Sequence, residues 1–64
     1  MGVTPIAYLN RYRISRARTL LEESMRRVTD VALDVGFTDL ANFSRAFHRE
    51  VGMTPNAYRH AKQR

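Results

Sequence analysis

The sequence predicts an all-α fold, a small helical bundle. Two observations carry that reading. Apolar residues recur at spacings of three and four along the chain, and no stretch alternates with a period of two. The string Gly-x-Thr-Pro occurs twice, at Gly2–Pro5 and Gly52–Pro55, and each copy reads as the end of one helix and the start of the next. Threonine accepts hydrogen bonds from orphan N–H groups as N-cap, and proline in the first helical position has no N–H to lose. The glycine ahead of them can close the preceding helix in a left-handed conformation.

The first helix is expected over about Pro5 to Glu23. At about 100° per residue, Ile6, Leu9, Ile14, Ala17, Leu20 and Leu21 share one arc of roughly 140°. Asn10 and Arg13 interrupt that arc. A cation on a buried side needs a partner or must reach out along its stem. The preferred reading for Arg13 is a structural ion pair with Glu22, Asp30 or Asp34, and the alternative is a phosphate contact.

A polar break from Ser24 to Arg27 follows. Val28, Val31, Ala32 and Val35 then make one face of a short second helix. Gly36 stands where a left-handed residue belongs, and Phe37 is expected to pack back on the helix it leaves. A third helix opens at the N-capping residues Thr38 or Asp39. Leu40, Phe43, Phe47 and Val51 fall on one side of it, flanked by Ala46. Ala41, Arg45, His48 and Arg49 fall on the other, with Asn42 and Ser44 at its edges. Gly52 closes this helix, and Thr54-Pro55 opens a last short one anchored by Tyr58. The basic tail from Arg59 to Arg64 is expected to fray.

Composition narrows the function. Sixty-four residues make one small domain with little room for a substrate cleft. There is no cysteine, and the two histidines, His48 and His60, are too far apart for a helical ligand pair, so no metal and no cofactor are expected. No nucleophile–His–acid set and no Gly-rich phosphate loop occurs, which argues against an enzyme. Eleven Lys+Arg oppose six Asp+Glu, a net charge of +5 that suits a polyanionic partner. No apolar run approaches the ~20 residues of a membrane span, and no signal pattern opens the chain. The default expectation is therefore a cytoplasmic location.

The segments Gly2–Tyr8 and Gly52–Tyr58 agree at five of seven positions, 50 residues apart. The expectation is a fragment: residues 1–24 carry a linker helix after a missing upstream unit, and residues 25–64 carry the second unit.

A short helix, a Gly-containing turn, then a helix with an apolar back and a polar front describes a helix-turn-helix. Small Ala32 lets the next helix cross close, and Gly36 gives the turn. The second of these helices, about 39–50, would then present its polar face to the major groove of double-stranded DNA. Arg45 is the candidate for a bidentate guanine contact, and Asn42 and Ser44 for base edges or phosphate. Ala41 could touch a thymine methyl, while His48 and Arg49 suit the phosphate backbone.

The residues Pro5, Tyr8-Leu9, Arg13-Ile14, Ala17 and Leu20-Leu21 resemble the linker helix of the AraC/XylS family of bacterial transcription regulators. Val31-Ala32, Gly36-Phe37, Asp39, Phe43-Ser44-Arg45, Phe47, Arg49, Gly52, Thr54-Pro55 and Tyr58-Arg59 resemble its C-terminal signature. The resemblance implies a homeodomain-like bundle, the second of two helix-turn-helix subdomains. It also implies a separate effector domain in the same protein, and transcription activation through contact with RNA polymerase. In that family the positions matching Ala41, Ser44 and Arg45 face the groove. Leu40 departs from the pattern, because a polar residue is frequent there. The competing class is a basic protein-interaction module, with Tyr8, Tyr12, Arg16 and Arg18 as its surface.

Overall fold

A computed structural model describes residues 5–62 as four helices. Helix α1 runs Pro5–Glu23, α2 Val28–Asp34, α3 Leu40–Val51 and α4 Pro55–Lys62, with no strand among the described residues. The expected N-cap Thr4, the rest of the first repeat copy before Pro5, and the end of the tail lie outside the described residues.

None of the three shorter helices would persist alone, since isolated helices of this length are marginal in water. They are held by one shared core. Ile14, Ala17 and Leu21 of α1 meet Val31 and Ala32 of α2, with Val35 and Phe37 of the turn, Phe43 and Phe47 of α3, and Tyr58 of α4. The aromatic rings form a continuous row through this core. Centroids stand 5.4 Å apart for Phe37 and Phe43, 5.7 Å for Phe43 and Phe47, and 5.5 Å for Phe47 and Tyr58. Edge-to-face pairs at this separation add to the burial itself.

The helix ends explain the sharp corners. Asp39 accepts a hydrogen bond from the Ala41 N–H at 2.9 Å, and Thr54 Oγ1 accepts from the Ala57 N–H at 3.1 Å. Helix α2 has no such cap, with Arg27 in extended backbone ahead of it. Its C-terminus closes firmly: Phe37 N–H reaches Ala32 O at 2.9 Å and Gly36 N–H reaches Leu33 O at 3.1 Å. Both Gly36 and Gly52 take the positive φ that these stops require, +106° and +92°.

Helix α1 is the spine and packs on all three of the others. Its C-terminal half is pinned to α4. The Tyr58 hydroxyl donates to Glu22 Oε2 and accepts from Arg18 Nε at 3.4 Å. That hydrogen bond, with the Glu22 carboxylate nearby, raises the Arg18 pKa.

Four sequence expectations need correction. The tail does not fray from Arg59: α4 runs on to Lys62, Arg59 is half-buried, and the Lys62 ammonium lies over the Tyr58 ring, 5.6 Å from its centroid. Ile6 and Leu9 continue the core arc of α1 but are 72% and 42% exposed, because the buried stretch of this helix begins only at Ile14. Leu40 is 44% exposed at the first position of α3, and the core side of that helix begins at Phe43. Arg13 forms no ion pair among the described residues: Asp34 pairs with Arg26, and Glu22 is taken by Tyr58. Its guanidinium lies instead over the Phe37 ring, 5.7 Å from the centroid.

Candidate nucleic-acid interface

The interface is built on α3. Phe43 and Phe47 are 0% exposed and fix the back of this helix against the core. At about 100° per residue, the groups opposite them must face outward. Ala41, Asn42, Arg45, His48 and Arg49 are all exposed, and Ser44 is half-buried at the margin. The structure thus brings all six sequence-predicted residues onto one continuous face of about 160°.

The electrostatics of that face follow from the helix ends. His48 and Arg49 occupy the last turn, where cations complement the carbonyl end of the dipole. At the other end Asp39 turns its carboxylate onto the α3 amides and occupies the position that would otherwise attract an anion. Arg45 Nη2 donates to Asn42 Oδ1, one turn earlier on the same face. This pairing, three residues apart, aims the guanidinium fork along α3 and limits its rotamers before any ligand arrives. A pre-aimed planar fork suits two adjacent acceptors, such as those on one edge of guanine.

Sequence reasoning missed what stands beside this face. A concavity of about 360 Å³ opens between α1 and α3. Its walls are Asn10 and Arg13 of α1, Thr38 of the turn, and Asn42, Arg45 and Arg49 of α3. Gly36, Phe37 and Ala46 also line it. No carboxylate is among its lining residues. The clue in the sequence was the pair of polar residues, Asn10 and Arg13, breaking an apolar arc three positions apart. The Arg18 half of the Tyr8, Tyr12, Arg16 and Arg18 surface is in turn drawn down against the Tyr58 ring, 5.8 Å from its centroid.

The described residues hold no group of acidic, Cys or His side chains fit to bind a metal, and no helix long and apolar enough to cross a membrane.

Comparison with known proteins agrees with the four-helix fold. A family model described as a helix-turn-helix domain matches residues 1–61. Two curated relatives, the HTH-type transcriptional activators RhaS of Shigella boydii and Escherichia coli, are 46% identical over 61 residues. The match covers 95% of this chain but 22% of each relative, so the chain spans about a fifth of their length. A solved structure of a protein of unknown function from Listeria innocua superposes with a TM-score of 0.94 at 41% identity, over 98% of this chain and 60% of that one.

Proposed function

This chain belongs to the AraC family of helix-turn-helix domains, and from that membership we propose that it binds double-stranded DNA sequence-specifically by laying α3 in the major groove. One observation carries the reading: the polar, arginine-bearing face of α3 stands free in solvent while the phenylalanine row on its back is wholly buried. A helix held so by its back offers side chains at fixed angles to a groove wide enough to admit it. Arg45 takes the bidentate base contact. Ala41, Asn42 and Ser44 lie against neighbouring base edges. His48 and Arg49 meet the backbone.

Residues 1–24 act as the linker helix from an upstream helix-turn-helix unit, and residues 25–64 as the second unit. The exposed Ile6 and Leu9 are suited to rest on that upstream unit, and the repeat of Gly2–Tyr8 at Gly52–Tyr58 favours a related one. The wider role is regulation of transcription in the bacterial cytoplasm. RhaS is named a transcriptional activator, and activation by this protein would bring another surface to RNA polymerase.

Titration of the chain against a fluorescent random duplex at several salt concentrations tests the core of this proposal. Binding should weaken steeply as salt rises, because each neutralised phosphate releases counterions. No binding even at low salt would favour the protein-interaction reading, with exposed Tyr8 and Tyr12 as its surface.

A further inference from the structure

We propose that the concavity between α1 and α3 is a phosphate seat, in which Arg13 of α1 and Arg49 of α3 hold one phosphate of the DNA backbone. The inference rests on the DNA-binding reading and extends contact from the recognition helix to the linker helix.

Three arginines, Arg13, Arg45 and Arg49, line a hollow with no carboxylate among its lining residues. Gathering like charges around one recess is unfavourable unless an anion shares it. Asn10, Thr38 and Asn42 add neutral donors around the rim. The remaining charges nearby are engaged elsewhere: Glu50 pairs with Arg11 at 3.7 Å, and Asp39 caps α3. At about 360 Å³ the hollow is open and polar, which suits a hydrated phosphate oxygen set better than an apolar ligand.

Arg13 is delivered to this place by two features of the turn. The Phe37 ring lies beneath its guanidinium. Gly36 leaves the space its head needs, since a Cβ there would stand 3.0 Å from Arg13 Nε. The turn that sets the angle of α3 therefore also sets the depth of Arg13. An arginine on the core side of α1, without a carboxylate partner among the described residues, is thereby given a role.

The test compares the wild-type chain with Arg13→Gln, Arg13→Lys and Arg49→Gln by fluorescence anisotropy on random and selected duplexes between 50 and 200 mM salt. Loss of one phosphate contact flattens the slope of log K against log salt by about 0.9. The wild-type advantage over Arg13→Gln then shrinks about 3.5-fold across that salt range, alike for every duplex. Arg13→Lys keeps the slope. The double variant of Arg13→Gln with Arg49→Gln loses no more than about one contact's worth, because both serve the same phosphate. Thermal melts run in parallel. A lower Tm with an unchanged slope makes Arg13 a packing residue and overturns the proposal.

Inorganic phosphate, titrated while the Gly36 amide and Arg13 Nε resonances are followed, gives a second readout. Shifts in the wild type that are absent in Arg49→Gln support the seat and keep the test sound if Arg13→Gln fails to fold. Silence of both resonances toward phosphate and duplex overturns it. Wild-type protein that shifts with phosphate but binds no duplex would refute the DNA reading, and with it the backbone assignment, and leave a free-anion site.

Discussion

Replacing Gly36 by alanine should cost more than the same change at Gly52, and the difference measures what the turn does for Arg13. Both glycines hold positive φ, +106° and +92°. An L-residue forced there pays about 1–2 kcal/mol at either site. At Gly52 nothing stands within 4 Å of the added Cβ, so strain is the whole cost. At Gly36 the new methyl meets Arg13 Nε at 3.0 Å and Cζ at 3.1 Å. Arg13 must move off Phe37, which forfeits about another 0.5–1 kcal/mol of cation–π contact. A domain of this size loses about 4–8 °C of Tm per kcal/mol. Gly52→Ala should therefore melt about 4–16 °C below the wild type, and Gly36→Ala about 6–24 °C below it. Circular dichroism melts give both values in one series. Anisotropy at several salt concentrations should show Gly36→Ala alone with a flattened slope, since only there is Arg13 displaced. Equal melting points, or a Gly36→Ala slope identical to the wild type, would refute the reasoning.

Phe43→Ala empties a fully buried site and should cost about 3–5 kcal/mol. A chain of this length has about 3–10 kcal/mol in all, so chemical denaturation should find the variant largely unfolded. Leu40→Ala, at a position 44% exposed, should shift the denaturation midpoint little, by about 0.5 kcal/mol or less. Tyr58→Phe removes the hydroxyl shared by Glu22 and Arg18 and should lower Tm by about 4–8 °C while leaving duplex affinity unchanged. Arg59 has Nε and Nη2 buried with no hydrogen-bond partner among the described residues, so Arg59→Met should melt at or above the wild-type temperature.

The helices were legible because their boundaries carry chemistry. Asp39, Thr54-Pro55, Gly36 and Gly52 each act through the local backbone, and the structure finds them at the stops and starts they predict. The exposed polar face of α3 was legible for a similar reason. Phe43 and Phe47 are large enough to fix which side of α3 goes inward, and the polar residues opposite follow by rotation.

What failed was what depends on partners. Periodicity shows that Ile6, Leu9 and Leu40 share a side with buried residues, but not where a neighbouring helix runs out. Arg13 was misassigned because its partners, Phe37 and the open space over Gly36, are non-local and uncharged, whereas a sequence search looks for a carboxylate. The concavity needed three separate segments to meet, and no single stretch announces it.

The central claim is that Arg45 reads a base rather than merely adding charge. Selection of bound duplexes from a randomised pool, by the wild-type chain and by Arg45→Ala, measures this most directly. The variant should lose preference at one guanine, by a factor of about 5–150, with the other positions of the site unchanged. A variant that selects the same sequences as the wild type, only more weakly, would contradict it.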